Sequence, residues 1–160
     1  MECGFIIIQN MELTSRDFKN KEFIPSRFTC DGENINPSLQ ISGVTKGANS
    51  LALIVDDPDA PGSLSTGGWV HWVLWNINPD TVEIKIHGVP PGAIEGVTSF
   101  GRSGYGGPCP PSGTHRYFFK LYALNAILDL PESADKKMLE ARMNSHIIET
   151  AELIGLYKRE

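Results

Sequence analysis

The middle of the chain contains a segment that neither a helix nor a continuous strand can cross. Of residues 88–113, 13 of 26 are glycine or proline, and the segment ends at 107–113 in Gly-Pro-Cys-Pro-Pro-Ser-Gly. Glycine permits positive φ and close backbone approach, whereas proline fixes φ and removes the N–H donor. The sequence therefore predicts a rigid loop that forms one wall of a pocket and leads into His115.

Three apolar segments around this loop have the composition of buried strands. Residues 51–55 form a short continuous apolar run, 69–77 are long, aromatic and β-branched, and 116–124 form a third strong, aromatic segment. A weaker alternating pattern at 81–86 predicts a further strand. Because 69–77 are apolar on both faces, we expect this segment, like 51–55, at the centre of a sheet.

The C-terminal part has helical spacing. Leu139, Met143, Ile147 and Ala151 or Ile154 recur at steps of three and four, and Gly155 follows as a cap. One helix, or two short ones interrupted near residues 144–145, is expected here. Strands followed by helices predict a mainly β or α+β domain whose antiparallel sheets carry C-terminal helices.

Length and charge limit the classes of function. At 160 residues the chain fits one domain, for which we take 11–160, with 1–10 as an N-terminal extension. A net charge of −5 and the lack of a Lys/Arg cluster argue against nucleic acid as a partner. No run approaches the roughly 18 apolar residues of a membrane span, so we expect a soluble, cytoplasmic protein without integral membrane association.

The three cysteines leave two interpretations open. Cys3, Cys30 and Cys109 suit neither a disulfide scaffold nor a zinc site, and free thiols in a reducing compartment are the favoured interpretation. A disulfide between Cys30 and Cys109 is the alternative.

Polar residues interrupt the strand pattern at three places. Asp57 and Asp59 end the first strong strand, His71 lies inside the second, and His115 begins the third. Simple alternation places His71 on the same face as Trp69, Val73 and Trp75. Each feature alone is compatible with a structural role, such as a turn-capping aspartate or a core histidine bonded to backbone.

Taken together, these residues allow several kinds of site. A metal site with two histidines and one carboxylate lacks a local ligand spacing, and a nucleophilic triad lacks a serine in a Gly-x-Ser-x-Gly turn. We therefore expect a polar cup in which histidines and free backbone N–H groups of the glycine loop bind a phosphate or sulfate. Arg102 or Arg116 could bind the anion, although an ion pair with Asp59 is the favoured interpretation. Aromatic walls of the pocket are expected from Trp69, Tyr105 and Tyr117.

Four motifs together resemble the phosphatidylethanolamine-binding protein family, also called Raf kinase inhibitor-like proteins, and in particular its small bacterial and archaeal branch. They are residues 28–32 (Phe-Thr-Cys-Asp-Gly), 57–61 (Asp-Pro-Asp-Ala-Pro), 69–72 (Trp-Val-His-Trp) and 104–117. Residues 145–155 resemble the closing helix of that branch. The resemblance extends from about 23 to 157.

The resemblance implies a large antiparallel sheet, a smaller sheet packed on it and peripheral C-terminal helices. It also implies an anion pocket at one end of the main sheet, a homodimer, and neither metal nor cofactor. The expected ligand is a small anion or a phosphorylated head group. The predicted ligand-binding residues are Asp57, Asp59, Pro61, Trp69, His71, Tyr105, Cys109, Pro110, Pro111, His115 and Tyr117.

A non-enzymatic, phosphate-binding role is thus the leading hypothesis, and two alternatives stay open. The family resemblance also implies inhibition of a serine protease or regulation of a kinase. A hydrolase that uses His71 or His115 as general base near Asp57 is the second alternative. The chain departs from eukaryotic members in having Val70 where a histidine is usual and a shorter 62–68 connection, and both changes are expected at the pocket rim. Kinase regulation is therefore the least transferable property.

Overall fold

The computed structural model describes residues 10–62 and 67–160, which form two β-sheets and one α-helix. The helix is α1 (Lys136–Met143). The strands are β1 (Glu12–Thr14), β2 (Glu22–Phe23), β3 (Leu39–Ser42), β4 (Ser50–Asp57), β5 (Trp69–Ile77), β6 (Glu83–Ile84), β7 (Ile94–Glu95), β8 (His115–Leu124) and β9 (Ile147–Tyr157).

The two sheets differ in size, as the family resemblance implied. The larger has the strand order β2-β9-β8-β4-β5-β7, and the smaller has the order β1-β3-β6. All pairs are antiparallel except β2 with β9. The mainly β class is confirmed, and the three strongly apolar segments are β4, β5 and β8.

Two apolar layers lie on opposite faces of the large sheet. The inner layer joins the sheets, since Leu13, Leu39 and Ile84 of the small sheet pack with Leu53 and Trp72 of the large one. The outer layer lies under the segment that contains α1. Its members include Ala52, Ile54, Val73, Trp75, Leu128, Leu139 and Met143. Both faces of β4 are therefore buried, which explains its uninterrupted apolar sequence.

The prediction of a helix in residues 147–155 is wrong, because this segment is strand β9. Ten register pairs join β9 to β8, from His115↔Tyr157 to Leu124↔Ile147. Leu153, Gly155 and Tyr157 are buried in alternation. Tertiary pairing thus overrides an apolar spacing that fits a helix equally well.

Gly155 is a site of close approach instead of a helix cap. A Cβ at this position would lie 2.5 Å from Cγ1 of Ile24 and 2.9 Å from Cε2 of Phe18. The predicted helix exists only as α1, whose N-cap is Asp135, with a side chain that accepts a hydrogen bond from the Met138 N–H.

A β-bulge interrupts β5 and breaks the predicted alternation. Val55 pairs with Trp72 and Asp56 pairs with Val70, so His71 is an additional residue on β5. Val70 consequently joins Val73 and Trp75 in the outer layer, whereas Trp72 faces the inner layer. Bulges often redirect a side chain beside a functional site. Here the bulge separates His71 from the face that simple alternation assigns to it.

Two consecutive acids end β4 and have different surroundings. The buried Asp56 carboxylate accepts hydrogen bonds from Lys136 Nζ at 2.8 Å and Lys120 Nζ at 3.1 Å. Lys136 also donates to the Gly67 carbonyl at 2.8 Å. Asp57, the next residue, pairs with His115.

The predicted N-terminal extension lies outside the described residues except for Asn10.

Candidate functional site

A cavity of about 240 Å³ lies at the end of the large sheet where β4 ends and β5 and β8 begin. Because β4 is antiparallel to both neighbours, its last residue lies beside their first ones. The lining residues are Asp57, Ala60, Pro61, Trp69, His71, Phe100, Cys109, Pro110, Pro111, His115 and Tyr117. The cavity is smaller than the roughly 300–1,000 Å³ usual for drug-sized ligands, so it suits a small ion or a head group.

Asp57 and His115 form a buried pair in the cavity wall. His115 Nδ1 lies 2.7 Å from Asp57 Oδ2, and Asp57 Oδ1 accepts the Asp59 N–H at 2.7 Å. The second bond closes an Asx turn, so the strand end itself orients the carboxylate. Since a carboxylate accepts, His115 Nδ1 carries the hydrogen and Nε2 is its other ring nitrogen.

His71 is held by the glycine-rich loop. Its Nδ1 lies 2.7 Å from the carbonyl oxygen of Gly106, whose own N–H donates to the His71 carbonyl at 2.9 Å. A carbonyl only accepts, so Nδ1 is protonated here as well. Burial lowers the pKa of His71, although the Gly106 carbonyl and the charge of Asp57 oppose this effect. The ring is therefore neutral at neutral pH.

Tyr117 contributes a buried hydroxyl to the cavity. No group within residues 10–62 and 67–160 makes a hydrogen bond of normal geometry with this hydroxyl. Burial raises the pKa of Tyr117, and the charges of Asp57 and Asp59 and a weaker hydrogen-bonding interaction with the Asp57 side chain raise it further, so the group stays a protonated donor. A buried hydroxyl without a well-formed hydrogen bond is costly, and this one lies in the wall of the cavity.

The loop wall is fastened by a disulfide between Cys30 and Cys109. The favoured expectation of free thiols is therefore wrong for these two residues, whereas the predicted cytoplasmic location stays a prediction. The Cys30 N–H also donates to the Pro108 carbonyl at 3.1 Å. The loop is thus tied both covalently and by hydrogen bonds to the 28–34 segment.

The glycine N–H groups of this loop serve the framework. Gly106 donates to His71, and the Gly107 N–H donates to Asn34 Oδ1 at 2.7 Å. The expectation that free backbone N–H groups of the loop face an anion is wrong for these two glycines. Their small size is used instead, since a Cβ on Gly106 would lie 2.3 Å from the Phe100 ring.

Two predicted site residues lie outside the cavity lining. Asp59 forms a bidentate pair with Arg116, with both side-chain contacts at 2.9 Å, and this guanidinium lowers the pKa of Asp59. The favoured pairing of Arg116 with Asp59 is confirmed. Tyr105 donates its hydroxyl to the Phe28 carbonyl at 2.7 Å and packs edge-on against Trp72. Tyr105 supports the loop through these contacts, whereas Asp59 holds Arg116 at the surface beside His115.

Phe100 is a lining residue that the sequence interpretation missed. It is 39% exposed, and its ring meets Trp69, which is 40% exposed, edge-on at 5.5 Å. It also contacts the His71 ring at 5.5 Å, and the Arg102 guanidinium lies 5.8 Å from its centroid. The available signal was that Phe100 is one of two large aromatic residues, with Tyr105, in a loop rich in glycine and proline.

The departures from eukaryotic members have different placements. Val70 is buried in the outer apolar layer, so the prediction that it lies at the cavity rim is wrong. In the 62–68 connection, residues 63–66 lie outside the described residues.

Within the described ranges, no group of three or more His, Cys, Asp or Glu could hold a metal ion. No helix there is long and apolar enough to cross a membrane.

Comparisons with known proteins agree with this architecture. A protein named UPF0098 from Methanothermobacter thermautotrophicus is 48% identical over 154 residues, covering 93% of this chain and 99% of the relative. The crystal structure of a phosphatidylethanolamine-binding protein homologue from Chlamydia trachomatis is 40% identical, with a TM-score of 0.90 over 95% of this chain and 99% of that one.

A more distant structure shares the fold alone. The carboxypeptidase Y inhibitor, solved with its cognate proteinase, is 14% identical, with a TM-score of 0.60 over 94% of this chain and 84% of that one. The family model described as phosphatidylethanolamine-binding protein matches residues 14–158. With nearly the whole chain matched by that model and by a relative at 48% identity, this protein belongs to the phosphatidylethanolamine-binding protein family.

Proposed function

We propose that this protein binds a small oxyanion, either free phosphate or the phosphorylated head of a larger molecule, without transforming it. The observation that carries the proposal is the Tyr117 hydroxyl, a buried donor that lines the cavity and makes no hydrogen bond of normal geometry with a described residue. An anion oxygen would satisfy it. The rigid wall of Pro110, Pro111 and the disulfide would keep the site preorganised, which lowers the entropic cost of binding.

The composition of the lining favours binding over covalent catalysis. The Asp57–His115 pair resembles the base and orienting acid of hydrolases. However, none of the described lining residues is serine or threonine, and Cys109 is committed to a disulfide. A general base without a nucleophile or metal is incomplete. Turnover of phosphate or carboxylate esters, with or without added divalent metal, would reverse this ranking.

Calorimetric titration with inorganic phosphate and phosphoethanolamine tests the proposal. Tyr117→Phe should weaken binding about tenfold or more, the effect of losing a hydrogen bond to a charged group. Tyr122→Phe is the matched control, because Tyr122 is a half-buried tyrosine of the same strand outside the cavity lining. His115→Ala should also weaken binding. Equal affinity in wild type, Tyr117→Phe and His115→Ala would reject the assignment of the site.

The stability of the same variants separates a binding defect from a folding defect. Removing an unpartnered buried hydroxyl deletes no hydrogen bond, so ligand-free Tyr117→Phe should be at least as stable as wild type. A fall in stability together with affinity would indicate a structural role instead.

Inhibition of a protease remains a prediction. The likeness to the carboxypeptidase Y inhibitor extends to the fold, and the test is whether adding this protein lowers the activity of carboxypeptidases or serine proteases. The same holds for the predicted homodimer, which sedimentation would test.

A further inference from the structure

The direction of the hydrogen bonds around the cavity limits which oxyanions it can accept. His71 gives its Nδ1–H to the Gly106 carbonyl, and His115 gives its Nδ1–H to Asp57, each at 2.7 Å. A neutral imidazole has a single N–H, so Nε2 of each ring carries a lone pair. The hydrogen bonds of both rings within the described part of the chain are made by Nδ1, and neither Nε2 is among the fully buried atoms without a partner. His71 therefore offers an acceptor to a ligand, and His115 offers a second when its ring is neutral.

The charge of the lining is also unusual for an anion site. Both oxygens of Asp57 are already bonded, yet its negative charge remains in the wall. Asp59 and Arg116 neutralise each other beside His115. Among the described lining residues there is no lysine or arginine.

The surroundings of His71 keep it neutral. The ring packs between Tyr117 and Phe100, with centroid distances of 5.2 and 5.5 Å. The charged groups that act on it are Asp57 and Asp56, and both favour a proton, but burial outweighs them and lowers the pKa of His71. Tyr117 stays protonated because its pKa is raised. At neutral pH the cavity thus combines one donor, the Tyr117 hydroxyl, with one acceptor, His71 Nε2. His115 Nε2 is a second acceptor when that ring is neutral.

We infer that the cavity selects oxyanions that carry an O–H group, and that it takes up a proton when it binds one whose hydroxyl has ionised. This inference rests on the proposed function and names the ligand class more narrowly. A phosphate monoester monoanion would donate its P–O–H to an imidazole Nε2 and accept the Tyr117 hydroxyl on a P–O⁻ oxygen. A sulfate monoester of the same shape offers only acceptors, so an oxygen would face the Nε2 lone pair.

The proton balance follows from the same groups. A dianionic ester has no O–H to donate, so one of its oxygens would face the Nε2 lone pair of a neutral imidazole. One proton from solvent, taken up on the phosphate oxygen, supplies the P–O–H that donates to Nε2. The complex then holds one proton more than the separate dianion and protein. Its association constant should fall about tenfold per pH unit once the ester is fully ionised, above its second pKa of about 6.

Methyl phosphate and methyl sulfate are the probes for this inference. Calorimetry at about pH 7.5 in two buffers of different ionisation enthalpy measures affinity and proton uptake together. Methyl phosphate should bind about 10- to 100-fold more tightly than methyl sulfate, because the sulfate ester leaves a buried acceptor facing a lone pair. Methyl phosphate should also take up about one proton, and methyl sulfate should take up fewer.

Variants separate the acceptors from the donor. In His115→Asn the amide N–H can still donate to Asp57, but nothing replaces Nε2. His71→Asn does the same beside Gly106. Both changes should reduce the preference for methyl phosphate. Tyr117→Phe removes a donor that serves both esters, so it should weaken both by a similar factor and leave the preference unchanged.

The outcomes are distinguishable. If methyl sulfate binds as tightly as methyl phosphate and no proton is taken up, the inference is wrong and the oxyanion site stands. If neither ester nor inorganic phosphate binds at any pH, both the proposed function and the inference fail. The proton count in wild type needs no variant, so it decides the question even if an asparagine variant does not fold.

Discussion

Removing the cross-link between Cys30 and Cys109 should lower stability by an amount that the chain connectivity sets. The two residues are 79 positions apart, so the disulfide closes a loop of about half the chain. Loop-closure entropy for that length corresponds to about 4.5 kcal/mol at 25 °C. Other contacts between the glycine-rich loop and the 28–34 segment persist without the disulfide, such as the hydrogen bond from the Tyr105 hydroxyl to the Phe28 carbonyl. The loss should therefore arise mainly in the unfolded state.

The corresponding change in melting temperature is large. An unfolding entropy of about 2.1 cal/mol/K per residue over 160 residues gives about 0.34 kcal/mol/K, so 4.5 kcal/mol lowers Tm by about 13 °C. Oxidised wild type, reduced wild type and the Cys30→Ala/Cys109→Ala double variant are compared by thermal melts and urea titrations. The dependence of stability on urea should steepen without the cross-link, because the open chain exposes more surface.

Two results would refute this reasoning. The chain has three cysteines, so the denatured, unreduced protein should show one titratable thiol, and three would mean that the cross-link is absent. If one thiol is found but reduction shifts Tm by less than about 3 °C, the chain-entropy account of its contribution is wrong. The double variant separates the loss of the cross-link from side effects of the reductant.

Three further changes test other parts of the structure. Gly155→Ala should lower the free energy of unfolding by roughly 1–3 kcal/mol in urea titrations, because its Cβ has no room. Gly47→Ala, whose Cβ would meet one atom at 3.7 Å, should be nearly neutral, and similar losses in the two variants would contradict the close approach at Gly155. Asp56→Asn should lower the free energy of unfolding by about 3 kcal/mol, since two lysine ammonium groups lose their carboxylate. A loss below about 0.5 kcal/mol, which is typical of surface substitutions, would mean that water replaces the carboxylate. Because the pKa of His71 is lowered in the native state, the unfolded chain binds its proton first, at about pH 6.5, so stability should fall as the pH drops below that value. His71→Asn should flatten this part of the Tm-against-pH curve, and an unchanged curve would assign the loss to other groups.

The sequence predicted the strands better than the C-terminal segment. Residues 51–55 and 69–77 are apolar on both faces, and 116–124 are strongly aromatic, so they are recognisable as strands whatever their pairing. Residues 147–154 carry a spacing that fits both periods, so only the presence of β8 as a partner decides between them. Local pattern could not supply that partner.

The members of the site were easier to predict than their roles. Nine of the predicted ligand-binding residues line the cavity, while Asp59 and Tyr105 lie outside its lining. The bulge at His71 depends on a register that no single strand encodes. The direction of each histidine hydrogen bond depends on contacts with Gly106 and Asp57 that form only in the folded chain.

Asp56 and Asp57 also specify how the central strand is aligned. The apolar part of β4 is buried on both faces, so a shift of one residue would still bury apolar side chains on each side. A shift of one residue toward the end of β4 would place Val55 opposite Lys136 and Asp56 opposite His115. Lys136 would lose its carboxylate, and Asp56 would lack the orienting turn, because Pro58 has no N–H to donate. Two adjacent charges thereby exclude misaligned pairings that the hydrophobic sequence alone would tolerate.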